Sequence, residues 1–131
     1  MLKLTLVTPE KKVFSDKEVE EVIVPGEKGE LDILPGHAPL ITTLKAGILR
    51  YRLKGSTEFN KAAISWGYCE VYPEGINLLA DTIELPEEID KDRAKKAYAE
   101  AEKRLQQAGL IMDEYIRAQR KLEKERARLE L

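Results

Sequence analysis

The feature that most constrains this chain is an abrupt change of composition near Pro86. All six prolines and seven of the eight glycines lie at or before that position, and only Gly109 follows it. Such residues mark turns, and turns about every eight to twelve residues are typical of a β-sandwich or barrel. The sequence therefore predicts a β domain over residues 1–84 and a separate helical segment over residues 85–131.

Alternation of apolar and polar residues predicts the strands of the first segment. Leu2, Leu4 and Leu6 alternate with Lys3 and Thr5, the period of a strand with one buried face. Further strands are predicted at residues 20–24, 31–33, 47–53, 59–66, 68–72 and 76–83. We expect an all-β sandwich of about ten short strands.

Apolar residues at helical spacing predict two helices after Pro86. The first stripe is Ala94, Ala97, Tyr98, Ala101, Leu105 and Ala108, and the second is Ile111, Tyr115, Ala118, Leu122 and Leu129. Gly109 suits a helix C-cap, and a very short link favours an antiparallel hairpin. Because alanines bury little area, we expect the hairpin to be marginally stable and weakly docked on the β domain.

Composition argues against several classes of protein. The net charge is −2, whereas nucleic-acid binders carry a basic excess. Cys69 is the only cysteine, so no internal disulfide can form and a reducing compartment is expected. Cys69 is interpreted as a small buried hydrophobic residue. Because His37 is the only histidine, we expect no metal site. No signal peptide is evident, and no run of roughly 20 apolar residues is present to span a membrane.

The glycine-rich run 24–40 offers a phosphate-binding interpretation through Gly26, Gly29 and Gly36. It lacks a Gly-Lys-Ser/Thr ending, and no helical pattern follows to present an N-terminus to an anion. Tight turns between strands are the favoured interpretation.

Catalytic interpretations are equally weak. His37, Ser65 and Asp81 could compose a hydrolase triad, but nothing in their spacing supports it. His37 beside two prolines is read as a structural or interface histidine. Trp66 and Tyr68 could form an exposed patch, although single aromatics in strands usually belong to the core or a sheet face.

The last helix carries an excess of basic side chains. From residue 114 onward six basic residues face four acidic ones, a net charge of +2. A solvated face with i,i+4 ion pairs is the default interpretation. A basic face that docks on an acidic partner is the alternative, and composition alone does not choose.

Several motifs resemble the epsilon subunit family of bacterial F-type ATP synthase. They are Val24-Pro25-Gly26, Gly29-Glu30-Leu31, the run Ile33-Leu34-Pro35-Gly36-His37-Ala38-Pro39-Leu40, Leu44-Lys45-Ala46-Gly47, Gly67-Tyr68-Cys69-Glu70-Val71 and Leu78-Leu79-Ala80-Asp81. The resemblance covers essentially the whole chain and its β-then-hairpin order. Asp32 and Trp66 stand where the family often has glycine.

The resemblance implies a non-catalytic central-stalk subunit with three partners: the gamma subunit, the ring of c subunits and the alpha/beta catalytic head. The residues that match the c-ring contact are Gly26, Glu27, Lys28, Gly29, Glu30 and Leu31. Those that match the gamma contact are His37, Ala38 and Pro39. The chain would lie at the cytoplasmic face of the bacterial inner membrane, associated with it only through the complex.

The resemblance also implies a hairpin that extends into the catalytic head and inhibits ATP hydrolysis. The residues of the inhibitory basic face would be Arg117, Arg120, Lys121 and Lys124. A motif for regulatory ATP is matched by Ile89, Asp90, Arg93 and Ala94. Because Glu100 stands where the ATP-binding members carry a further arginine, we expect weak ATP binding or none, and no other cofactor.

Two functions of other classes compete with this one. The chain could be a free-standing adaptor between unrelated proteins, which co-purification with gamma and the catalytic head would exclude. It could also be a small ligand-binding β-sandwich or a hydrolase, which would need a concave site with converging polar groups.

Overall fold

A computed structural model describes residues 2–131. The strands are β1 (Leu2–Val7), β2 (Lys12–Gly26), β3 (Gly29–Ile33), β4 (Leu40–Leu44), β5 (Gly47–Leu53), β6 (Phe59–Tyr72) and β7 (Gly75–Glu84). A 3-10 turn at Pro86–Glu88 leads to the helices α1 (Lys91–Leu105) and α2 (Met112–Glu130). None of the helices within residues 2–131 has both the length and the apolar character needed to cross a bilayer.

The strands close around one core. β1 pairs in parallel with β7 and antiparallel with β2, while β5 bridges β2 and β6. The alternation of β1 aims Leu2, Leu4 and Leu6 inward, and all three are buried. They pack with Val22, Val24, Ile33, Leu49, Ile76 and other buried side chains of every remaining strand. The predicted all-β domain followed by a helical hairpin is confirmed.

The predicted number of strands is wrong, because β2 and β6 are long strands that pair with different strands along their length. β6 pairs with β5 over its first half and with β4 over its second half. β7 pairs with residues 63–72 of β6 and so spans the change of partner. The change occurs at Trp66 and Gly67, where a Cβ on Gly67 would lie 1.8 Å from the Leu79 carbonyl oxygen. Glycine there lets the backbones meet without a break, so the predicted runs 59–66 and 68–72 form one strand. Seven strands are therefore present within residues 2–131.

The predicted helix cap at Gly109 is also wrong. α1 ends at Leu105, where the Gln106 N–H donates to the carbonyls of Lys103 and Arg104. Gly109 lies farther on, with φ of 81° inside the connection 106–111. The chain therefore turns over six residues rather than through a minimal link, and Gly109 supplies the left-handed residue of that turn.

The hairpin folds back on the β domain through the C-terminal half of α2. Ala127 packs on Ile48 of β5 and Ala63 of β6, with Ile89 and Leu131 at the edge of this cluster. The cluster is separate from the main core. The two helices pack chiefly against each other, and α2 provides the contacts with β5 and β6. The structure thus shows the hairpin packed against the β domain.

Candidate protein-interaction surfaces

The β2–β3 turn forms a rigid, charged projection. Gly26 pairs with Gly29 across a two-residue turn, so Glu27 and Lys28 stand at its tip. A Cβ on Gly26 would lie 2.7 Å from the Gly29 carbonyl oxygen, which explains the glycine. Of the six residues predicted to contact the c-ring, Glu27, Lys28, Gly29 and Glu30 are exposed, Leu31 is half-buried and Gly26 is buried.

Contacts from neighbouring strands hold this turn in place. The Glu27 N–H donates to the Thr43 carbonyl at 3.1 Å, and the Lys45 N–H donates to that of Pro25 at 3.0 Å. Arg50 of β5 binds the Glu30 carboxylate at 2.8 Å. The turn therefore presents its charges from a fixed backbone, which suits contact with a polar surface.

The loop before β4 brings together the residues predicted to contact gamma. His37 is half-buried, whereas Ala38 and Pro39 are exposed. The His37 N–H donates to the Leu34 carbonyl at 3.0 Å, and the ring Nδ1 lies 2.8 Å from the Ala38 carbonyl oxygen. The imidazole thus braces its own loop. Within residues 2–131 no group of His, Cys, Asp or Glu side chains is arranged to hold a metal ion.

The polar groups considered for catalysis do not converge. Ser65 is 1% exposed, and its hydroxyl hydrogen-bonds to Thr82 rather than to His37. Cys69 is fully buried, and this burial, with a smaller contribution from Glu70, raises the pKa of its thiol to about 12. A thiol in that environment is inert at neutral pH. These positions argue against the hydrolase interpretation.

Of the apolar groove on the sheet, only Tyr68 was considered as an exposed residue from the sequence. Exposed side chains of Ile41, Tyr68 and Leu79 come together on β4, β6 and β7, with exposures of 73%, 52% and 37%. The groove holds about 350 Å³, and its wall includes Thr5 and Val7. Alternation in the strands was the available signal, since Tyr68 precedes the buried Cys69 and Leu79 follows the buried Leu78. Clustered exposed apolar side chains of this kind mark interaction sites.

The predicted basic face lies along one side of α2, but its four residues have different neighbours. Arg117 and Lys121 border a groove between the helices, beside Glu100 and the Arg104–Glu114 ion pair at 2.6 Å. The Arg120 guanidinium lies 4.9 Å from the centre of the Trp66 ring. Lys124 lies near the sheet edge at Thr82 and Glu84.

The four residues of the ATP motif do come together. Ile89, Asp90, Arg93 and Ala94 line a crevice of about 340 Å³ between the helices and the end of β7. Asp90 caps α1, because its Oδ1 accepts the Arg93 N–H at 3.1 Å. The other residues of the crevice are Glu84, Glu88, Ala97, Lys121, Glu125 and Arg128.

Carboxylates outnumber cationic side chains in this crevice. Four carboxylates (Glu84, Glu88, Asp90 and Glu125) line it against three cationic side chains (Arg93, Lys121 and Arg128). Arg128 is already engaged by Glu84 at 2.7 Å and by Glu125. Partial burial acts to lower the pKa of Arg128, but these two carboxylates outweigh it and raise the pKa above its usual value.

Comparison with known proteins adds independent findings. The sequence model described as "ATP synthase, Delta/Epsilon chain, beta-sandwich domain" matches residues 1–86, and that of the "long alpha-helix domain" matches residues 87–131. The ATP synthase epsilon chain of Bdellovibrio bacteriovorus is 49% identical over 129 residues, 98% of this chain and 92% of the relative. Epsilon chain 2 of Syntrophotalea carbinolica is 41% identical over 130 residues, 99% of this chain and 92% of the relative.

A solved structure agrees with these relatives. A chain in the mitochondrial ATP synthase of Euglena gracilis, a structure of OSCP, F1 and c-ring, superposes with a TM-score of 0.87 at 25% identity. The superposition covers 98% of this chain and 79% of that one. It includes both the sheet and the helices.

Proposed function

The chain belongs to the delta/epsilon family of ATP synthase subunits and is thus a component of that complex, and from this premise we propose how it works there. It acts as a non-catalytic part of the central stalk. Its β domain links the c-ring to gamma, and its hairpin rises to inhibit ATP hydrolysis. The observation that carries this proposal is the two-part construction: a closed sheet domain bears the hairpin through a small, separate cluster around Ala127.

We propose that gamma binds the apolar groove together with the adjoining loop. β4 begins one residue after Pro39, so the loop leads directly to Ile41 in the groove. The groove is also lined by the polar side chains of Thr5, Glu70 and Asn77, so it offers the desolvated centre and polar rim of a stable protein interface. The c-ring would meet the charged β2–β3 turn, whose fixed backbone can transmit force without bending.

Replacing an exposed groove residue tests the gamma interface. Ile41→Asp should reduce co-purification of the chain with gamma, because it buries a charge at the centre of the contact. Ile116→Asp is the matched control, since Ile116 is an exposed isoleucine of the hairpin, at 45%. Equal retention of gamma by both variants would contradict the proposed surface.

Hairpin inhibition is tested by removing the hairpin. The complex reconstituted with a chain that ends at Glu84 should hydrolyse ATP faster than the complex with the full chain. β7 also ends at Glu84, so the cut leaves every strand intact. Equal activities would contradict the inhibitory role.

Charge reversal then tests whether inhibition depends on contacts of the basic face or only on the presence of the hairpin. Reversing Arg117, Arg120, Lys121 and Lys124 to glutamate should relieve inhibition if these residues meet acidic segments of the head. The control reverses three exposed lysines of α1, Lys95, Lys96 and Lys103, on the other helix. Inhibition that survives the first set of changes would exclude the basic face as the contact.

We propose that the crevice binds ATP weakly or not at all. The excess of carboxylates around Asp90 and Arg93 supports this, because a triphosphate would bring like charge into a partly desolvated site. Calorimetry on the full chain with ATP should show no tight binding. A tight complex would overturn the proposal.

We propose that the complex holds the chain at the cytoplasmic face of a bacterial inner membrane. The bacterial relatives and the c-ring partnership support this placement. After cell fractionation the chain should sediment with membranes and leave them together with the catalytic head. Recovery without gamma or the head would instead favour the free-standing adaptor.

A further inference from the structure

Trp66 occupies a backbone conformation that large side chains rarely adopt. Its φ is 33°, in the left-handed region that favours glycine. Local strain of this kind persists where the surrounding structure uses it, and it clusters at ligand clamps and switch regions. The contacts of the indole ring explain why this strain is tolerated.

The ring of Trp66 contacts the hairpin. The guanidinium of Arg120, on α2, lies 4.9 Å from the ring centre, within the range of a cation–π contact. Trp66 lies on β6, the strand whose Ala63 also packs on Ala127. Aromatic and apolar contacts therefore meet α2 at two points along the same strand.

A second polar contact ties α2 to the end of the sheet. Arg128 donates through Nε to the Glu84 carboxylate of β7 at 2.7 Å and through Nη1 to Glu125. Glu125 is only 4% exposed, and its Oε2 has no hydrogen-bond partner within residues 2–131. Arg128 thus compensates a buried carboxylate that would be very unfavourable without it.

The apolar part of the docking contact is small. Ile48, Ala63 and Ala127 are its buried members, and two of these are alanines. We therefore expect the contacts of Arg120 and Arg128 to contribute to the docking of the hairpin on the β domain.

We propose that Trp66 and the Glu84–Arg128 pair form a latch that holds the hairpin on the β domain by contacts of this chain alone. The proposal rests on the function proposed above and names its regulation. Arg120 belongs to the basic face, so it must leave the Trp66 ring before it can pair with an acidic partner. Latch strength then sets how often the hairpin is available to inhibit.

Amide hydrogen exchange on the full chain tests the latch. In proteins most helical stability comes from tertiary packing, so the protection of amides in the C-terminal half of α2 reports its packing on α1 and on the β domain. Trp66→Gly keeps the backbone conformation accessible and removes the ring, and it should speed exchange in α2 about tenfold. Arg128→Ala should do so by roughly tenfold or more, because it leaves Glu125 buried without its partner.

Two further variants make the result specific. Trp66→Phe retains an aromatic face and should lie between the wild type and Trp66→Gly. Lys96→Ala changes an exposed cation of α1 outside these contacts and should leave exchange in α2 unchanged. Amides of β6 and β7 should stay protected in every variant. Unaltered α2 exchange in both Trp66→Gly and Arg128→Ala would reject the latch, as would equal acceleration by Lys96→Ala.

ATPase activity of the complex separates the latch from the inhibitory role. A freed hairpin should inhibit more, so the complex with Trp66→Gly should hydrolyse ATP more slowly than the wild type. Faster α2 exchange without lower activity would keep the latch and reject hairpin inhibition. Lower activity without faster exchange would reject the latch and leave inhibition standing.

Discussion

The β domain and the hairpin reach their folded states by different means. In the β domain, large side chains such as Leu4, Leu6 and Ile33 are entirely buried. In the hairpin, the buried residues of α1 and α2 are Ala94, Ala101, Ala118, Glu125 and Ala127. Burying a leucine contributes about 1.5–3 kcal/mol, and burying an alanine contributes much less.

This difference shows which contacts stabilise each part of the molecule. The sheet domain is held by long-range strand pairing around one buried core, so we expect its core strands to open with a free energy close to that of global unfolding. The hairpin is held by helix–helix contact, a few ion pairs and a small apolar cluster. A stiff part and a releasable part can therefore coexist in one short chain, which is what the proposed role of a rotor subunit with a regulatory arm requires.

The largest effect should come from the sheet core. Leu4→Ala should lower the free energy of unfolding by about 2–5 kcal/mol, because the residue is 0% exposed and its neighbours cannot fill the cavity. Urea unfolding followed by circular dichroism measures the change. Ile41→Ala is the matched control, since Ile41 is 73% exposed and should change stability by no more than about 0.5 kcal/mol. Similar losses in the two variants would refute the contrast between core and groove.

Strand alternation made much of the sheet domain predictable. Leu2, Leu4 and Leu6 are buried as their spacing indicates, and both helices follow the change of composition at Pro86. The continuity of β6 was not predictable, because Gly67 in the sequence signals a turn as well as a close approach of backbones. Only the position of the Leu79 carbonyl decides between the two.

Proximity of the candidate site residues was predictable where they are neighbours in the sequence. Residues 26–31 share the β2–β3 turn and residues 37–39 share one loop, and their contacts with gamma and the c-ring stay predictions. The groove of Ile41, Tyr68 and Leu79 joins three strands, and local alternation does not show which face of a strand the hairpin and the core leave open. The Glu84–Arg128 contact spans 44 positions, so no local pattern announces it.

A smaller effect should come from the packing of the hairpin. Ala101 is 4% exposed in α1, and Ala101→Gly should destabilise the hairpin by about 1 kcal/mol through lower helix propensity. Exchange of α1 and α2 amides should quicken, while the Cys69 thiol should stay unreactive toward a thiol reagent at pH 8. Its pKa of about 12 and its complete burial keep it protonated and inaccessible unless the sheet opens. Faster labelling of Cys69 would show that the two parts unfold together.

The smallest effect should come from the ion pair near the turn of the hairpin. Arg104 contacts Glu114 at 2.6 Å, but their side chains are 50% and 36% exposed, so solvent screens the attraction. A double-mutant cycle with Arg104→Ala and Glu114→Ala should give a coupling of about 0.2–1 kcal/mol, read from α2 amide exchange. High salt should reduce this coupling while leaving the effect of Leu4→Ala unchanged. A coupling well above that range would mean that this exposed ion pair stabilises the hairpin as strongly as its partly buried contacts do, and solvent screening would then not separate the two kinds of contact.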